Sequence, residues 1–289
     1  MHARLFFLAT SLFAAACVRP ISSSPTVGPL PFATDTLRTE RVADGVWRHY
    51  LYVPSGPWAI QVLDVDLSRC NRIVALKGGE SAAGRVKTTQ LMAQLARTTT
   101  SGRVVAGVNA DFFALASGTP VGLLVVDGHA LTPPGNEPAL VVDSSGRAHI
   151  AVAPAELRAR NAVAGHPLLI RDSVIAGDVD TNGDTGFRGR NPRTAVGIAR
   201  DGRRVLFAVI DGRQKPYSDG SSLRETAAIL LALGARDALN LDGGGSSTMV
   251  VSVPGPNGST FSRIANRPSD AVGERPVGDA LAVVNACAE

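Results

Sequence analysis

The stretch richest in chemistry runs Leu239-Asn-Leu-Asp-Gly-Gly-Gly-Ser-Ser-Thr248. An apolar strand there would deliver Asp242 to three consecutive glycines, Gly243, Gly244 and Gly245, and then to the hydroxyls of Ser246, Ser247 and Thr248. Glycine costs backbone entropy, so three together need a reason. One reason is a loop whose N–H groups converge on an anion or a sugar oxygen; the other is a permissive hairpin turn with solvated hydroxyls. No Lys follows the glycines, so this is not a Walker loop, and the Gly-x-Ser-x-Gly order of a hydrolase elbow is absent.

Further groups could join Asp242. Arg193, in Asn191-Pro-Arg-Thr-Ala-Val-Gly197, stands just before a strand. A guanidinium at a strand mouth can fork onto a phosphate or pair with any nearby carboxylate. Asp211 opens an Asp-Gly-Arg turn ending at Arg213. In Gly107-Val-Asn-Ala-Asp-Phe-Phe113, Asn109 and Asp111 alternate with apolar residues, although Asp111 fits a turn carboxylate equally well. Asn266-Arg-Pro-Ser-Asp270 and Gly273-Glu-Arg-Pro-Val277 form a polar, proline-stiffened approach to the last strand, suited to a binding loop or to an ordered connection. Asp178, Asp180 and Asn182 match the first half of a calcium loop with Gly183 in place, but its twelfth position is Gly189 and no flanking helices are evident. The five histidines show no metal-ligand spacing. No cofactor is required on this reading, with Ca2+ at Asp178, Asp180 and Asn182 the one metal worth testing.

These residues need elements to hold them. Apolar runs predict strands at 58–67, 72–76, 104–108, 121–126, 139–143, 148–153, 194–199, 204–210, 238–241, 248–253 and 280–286. Asp127-Gly128, Asp201-Gly202 and Asp211-Gly212 are turn signals. Two helices are expected. One covers 87–98, with Leu91 and Leu95 on one face and Thr88 or Thr89 as N-cap. The other covers 223–233, where Ser222 and Glu225 have capping-box spacing and Gly234 sits at the C-cap. Strand 204–210, helix 223–233 and strand 238–241 read as a βαβ-like unit, whose ligand groups gather past the strand ends, where Asp211 and Asp242 stand. The fold class expected is α+β: a single domain over 42–289, a strand-rich mixed sheet with few helices and no internal repeat.

The chain's ends and composition bound the rest. Hydrophobic residues make up 45% of 289, enough for a sizeable core, while 5% aromatics leave Val, Ala and Leu to fill it. Residues 1–17 read as a signal peptide: Arg4, an apolar run from Leu5, then Ala14-Ala-Ala-Cys17, which resembles a lipobox with Cys17 as the lipidated residue. Ala14 stands where a lipobox usually has Leu, and an ordinary secretory peptide fits the same stretch. Residues 18–41 are rich in Pro, Ser and Thr and read as a tether. Cys70 and Cys287 remain as an even pair, either a disulfide or two buried thiols. The net charge of +4 carries no Lys/Arg cluster with interleaved aromatics, which argues against nucleic-acid binding.

Taken together, Asn109 with Phe112-Phe113, Gly165-His-Pro-Leu168, Arg193-Thr-Ala-Val-Gly197, Asp211-Gly212, Gly220 through Glu225, Asn240-Leu-Asp-Gly-Gly-Gly-Ser246 and Arg275 occur in an order that resembles the phosphodiester glycosidase family over roughly 45–287. The resemblance implies an exported hydrolase that cleaves a sugar-1-phosphodiester. Asn109, Arg193, Asp211, Glu225, Asp242, the three glycines and Arg275 match positions the family shares; Asp111 and Glu274 do not. The carboxylates expected at the anomeric centre are Asp242 and Asp211, with Glu225 a third candidate whose capping box is a sufficient structural role. Arg193 and Arg275 would clamp the phosphate. Gly243, Gly244 and Gly245 would cradle it, with Ser246, Ser247, Asn109 and Asn266 binding substrate. The partner implied is a phosphate-linked glycan or glycoconjugate in the cell envelope, reached by a protein anchored through its lipid to the membrane. The rival reading is a non-catalytic polysaccharide-binding or envelope assembly module.

Overall fold

The computed structural model describes residues 34–79, 82–152, 158–179, 187–255 and 260–287. Cys17, Asp180, Asn182 and the side chain of Asp178 lie outside the described residues, so the lipidation and calcium-loop expectations fall there too.

The chain is mostly β. Its largest sheet has eight strands in the order Thr36–Ala43, Val46–Val53, Trp58–Asp66, Arg204–Ile210, Arg193–Ile198, Asp237–Asn240, Leu168–Arg171, Val174–Ile175. A five-stranded sheet runs Thr260–Ile264, Met249–Pro254, Arg103–Asn109, Asp279–Asn285, Asn71–Lys77. A second five-stranded sheet, containing Ala139–Asp143, Ala159–Ala164 and Leu124–Val126, completes the core. Among the described residues two α-helices accompany them, Thr88–Thr98 and Leu223–Ala232.

All eleven strands expected from the sequence are present, and the reason is visible in Arg204–Ile210. Val205, Phe207 and Val209 face a core shared by the three sheets, while Leu206, Ala208 and Ile210 face the helix Leu223–Ala232. Burial on both faces turns the usual alternation into a continuous apolar run. The helix Thr88–Thr98 covers the outer face of the five-stranded sheet, where Met92 meets Val104, Val250, Ala282 and Val284.

The mixed sheet is corrected. Every described ladder is antiparallel. Arg204–Ile210 and Asp237–Asn240 do run the same way across the helix, as a βαβ unit requires. Arg193–Ile198 lies between them, however, and pairs antiparallel with both. The tether also ends earlier than composition suggested, because 36–41 belong to the first strand.

The second helix has its expected capping box at Ser222 and Glu225, and Gly234 follows with φ +97. The first differs. Its N-cap is Lys87, without a side-chain cap bond, and its first turn is served from a distance. Glu274 accepts from the Thr89 N–H at 2.8 Å and from the Thr89 hydroxyl at 2.6 Å. Cys70 and Cys287 form a disulfide that ties the start of the strand Asn71–Lys77 to the end of the closing strand.

Candidate active site

Asp242 leaves the eight-stranded sheet and crosses to the second. Its N–H donates to the Ala110 carbonyl at 2.8 Å, and its own carbonyl accepts from Asn109 Nδ2 at 2.6 Å. Asn109 Oδ1 accepts from the Thr194 hydroxyl at 2.8 Å and from the Thr248 N–H at 3.0 Å. Asn109 is fully buried, so it is a joint between strands rather than a substrate contact.

The three glycines have steric reasons. Gly244 is left-handed, with φ +61, and a side chain there would press on the Arg213 guanidinium at 3.2 Å. A Cβ on Gly245 would collide with Arg275 and Asp270. The loop is a 3-10 turn closed on itself: the N–H of Gly244 donates to Pro192, that of Ser246 to Gly243 and that of Ser247 to Gly244. Of the three glycine N–H groups expected to form a cradle, that of Gly244 is thus spent on the main chain. What the glycines allow is the close approach of Arg213 and Arg275. The buried hydroxyls of Ser246, Ser247 and Thr248 meet no partner at hydrogen-bonding geometry.

Burial pushes the Asp242 carboxyl up to about 6, against the pull of the nearby Ser246 hydroxyl, the Arg275 charge and the Gly243 N–H. Two further carboxylates share its surroundings. Asp111 accepts from the N–H groups of Phe112 at 2.7 Å and Gly122 at 2.8 Å. Burial nonetheless raises it to about 7, and the charges of Asp242 and Glu137 act the same way. Asp279 is wholly buried; one oxygen accepts from the Asp111 N–H at 2.7 Å and the other has no partner. Burial, reinforced by the charges of Asp111 and Asp242, holds it well above the carboxylate range. Asp279 was missed by sequence reasoning. Its only local signal is a charged residue opening an otherwise apolar strand.

Asp211 is not the partner of Asp242. Their strands are separated by Arg193–Ile198, which puts the main chains roughly 10 Å apart. The Asp211 carboxylate accepts from the Tyr217 hydroxyl at 2.9 Å, Asn266 Nδ2 at 2.9 Å and the Arg267 N–H at 2.9 and 3.0 Å. Burial raises it to about 6 despite these donors. Both its oxygens are taken by these donors, so it holds neighbours in place rather than meeting a sugar. Asn266 does the same: its amide also donates to the Ser247 carbonyl at 3.0 Å, and its oxygen accepts from the Met249 N–H at 2.7 Å.

The cations sort themselves by partner. Arg275 carries a bidentate bond to Asp270, at 2.8 and 2.9 Å, and is already neutralised. Glu225 is engaged by Arg190 at 2.7 Å and by the Ser222 N–H at 2.8 Å. Burial would raise Glu225, but these bonds outweigh it and hold it low. Arg193 is different. It is 3% exposed and donates only to main-chain carbonyls, Ser221 at 3.0 Å, Phe187 at 2.9 Å and Gly189 at 3.1 Å. Burial lowers it to about 10, and the charge of Arg213 adds to the effect. Arg213 is exposed, left-handed at φ +58, and donates to the Asn191 side chain at 2.9 Å. Among the described ion pairs, neither Arg193 nor Arg213 has a carboxylate.

Raised carboxylates, together with two arginines against the glycine loop that lack carboxylates among the described ion pairs, suit an anionic substrate. Nothing in the described residues supports calcium, since no group of three or more His, Cys, Asp or Glu converges among them.

Residues 102–284 match the family model described as phosphodiester glycosidase. The chain belongs to that family. Its fold is similar to the zebrafish N-acetylglucosamine-1-phosphodiester alpha-N-acetylglucosaminidase catalytic domain, auto-inhibited by its pro-peptide. The TM-score is 0.63 at 20% identity, over 91% of this chain and 85% of that one. A hypothetical protein from Synechocystis gives 0.66 at 16% identity, over 90% and 68%. A Burkholderia pseudomallei protein described as exported gives 0.60 at 24%, over 82% and 76%. No curated protein is similar enough to the chain to count as a match.

Proposed function

We propose that the chain hydrolyses a sugar-1-phosphodiester at the bond between the anomeric carbon and the phosphate oxygen. The observation that carries this reading is the pair Arg193 and Arg213, two guanidiniums without a carboxylate beside the glycine loop that follows Asp242. They hold the phosphate. Asp242, ionised above about pH 6, meets the positive charge that develops at the anomeric carbon. The C1–O bond breaks, the phosphate leaves with the electron pair, and the oxygen of water joins C1 while one of its protons passes to solvent. The departing phosphate is already anionic, so a strong general acid is not needed. Asp111 and Asp279 are positioning residues: burial raises both carboxyls, so they hold protons where Asp242 ionises.

The first substrate to try is N-acetylglucosamine-1-(methyl phosphate), because a neighbour of the same fold acts on N-acetylglucosamine-1-phosphodiesters. Hydrolysis in 18O-labelled water should place the label on the sugar and none in the methyl phosphate. Label in the phosphate would mean phosphorus–oxygen cleavage and would overturn the glycosidase reading.

We also place the protein in the cell envelope. A disulfide agrees with an oxidising compartment, and among the described residues no helix is long and apolar enough to cross a membrane. Attachment would come through lipid on Cys17. Intact-mass analysis of the mature N-terminus decides it: an unmodified chain starting elsewhere would remove the anchor.

A further inference from the structure

Asp211 makes its bonds outward, toward a surface. The Tyr217 ring that it fixes lies nearly parallel to that of Tyr52, with centroids 6.5 Å apart and planes 13° apart. The Arg267 guanidinium, exposed to solvent, stands 5.4 Å from the Tyr217 ring centroid. None of the described ion pairs involves Arg267. This surface adjoins the glycine loop. Asn266 bonds the Ser247 carbonyl, and Gln214 Nε2 donates to the Arg267 carbonyl at 2.8 Å, one residue beyond Arg213.

We propose that Tyr52, Tyr217 and Arg267 form a subsite for the leaving-group side of the substrate. Tyr52 stacks on the sugar that carries the phosphate, Tyr217 backs it, and Arg267 meets the next phosphate along the chain. The inference rests on the phosphodiester glycosidase reading and narrows its substrate to a chain of sugars joined by repeated phosphodiesters. Flat aromatic faces match the apolar face of a pyranose. A guanidinium held over a ring is already oriented for a phosphate oxygen pair. Aromatic platforms interleaved with cations are also how proteins track a flexible polyanion. Asp211 is then a positioning residue for this platform, which explains a buried carboxylate that touches only the elements bearing it.

The test compares N-acetylglucosamine-1-(methyl phosphate) with a synthetic trimer of N-acetylglucosamine joined by 1,6-phosphodiesters. The full protein should favour the trimer in kcat/KM, and Arg267→Gln or Tyr52→Ala should shrink that ratio about tenfold. An unchanged ratio in both variants would overturn the subsite. Calorimetric binding of the trimer to Asp242→Asn, with and without the same substitutions, makes the comparison independent of turnover. Binding that depends on Arg267 without any turnover by the unaltered protein would overturn the hydrolase reading instead. Tighter binding of a nucleoside diphosphate sugar than of the trimer, lost in the same variants, would overturn the repeated-phosphate substrate.

Discussion

Asn109 grips Asp242 by its main chain: the side-chain amide donates to the Asp242 carbonyl at 2.6 Å while its oxygen takes the Thr194 hydroxyl and the Thr248 N–H. Three strand ends from two sheets therefore meet at one buried amide. Asn109→Ala leaves three groups without partners and should cost about 2–4 kcal/mol. Urea denaturation measures it. A cost under about 0.5 kcal/mol would show that the joint is not needed.

Asp242→Asn should separate stability from activity. Its folded carboxyl titrates near 6 against an ordinary value of 3.8, so the folded state holds the proton more tightly. The stabilising contribution is complete below about pH 4 and lost as pH rises through about 6. At neutral pH the Asn variant should therefore be more stable, by up to about 3 kcal/mol, with turnover down by orders of magnitude. In the unaltered protein, turnover should rise with pH through about 6. Full activity in a folded Asn variant would remove Asp242 from the mechanism.

How much of this was legible in the sequence follows from where the information lies. Arg204–Ile210 declares itself because both faces are buried, and Ser222 with Glu225 because a capping box is local. Thr36–Ala43 is an edge strand whose side chains are mostly exposed, so its polar residues look like tether. The link from Asp111 to Asp279 needs Arg103–Asn109 and Asp279–Asn285 to be neighbours in a sheet, across a sequence gap of 168. No local pattern encodes that. Pairing Asp211 with Asp242 failed for the same reason, because Arg193–Ile198 enters between their strands. For Arg213, named in the sequence only as the end of a turn, the approach to the loop depends on Gly244, whose missing side chain admits its guanidinium.

Arg193 offers a test of charge against scaffold. Arg193→Lys keeps a cation but loses the fork that reaches the Ser221, Phe187 and Gly189 carbonyls. Arg213→Ala removes exposed charge with little effect on folding. If both hold phosphate, both should lower kcat/KM on the methyl phosphodiester by about tenfold or more, and far less on an uncharged aryl glycoside of the same sugar. Equal losses on the two substrates would make these arginines structural.

The disulfide between Cys70 and Cys287 closes a loop across a sequence separation of 217, nearly all of the described chain. It joins two neighbouring strands, since Asn71 lies opposite Asn285 in the ladder and the Ala286 N–H donates to the Cys70 carbonyl at 2.8 Å. These contacts hold the strand ends together without help, so the bond acts chiefly on the unfolded chain, which it prevents from expanding. Replacing both cysteines with Ser should therefore cost about 2–5 kcal/mol while leaving kcat and KM close to those of the parent protein. Denaturant midpoints measured with and without reductant provide the check. The parent should lose its advantage over the double variant once reduced. An advantage that survives full reduction would place the loss in the altered side chains and not in the covalent link.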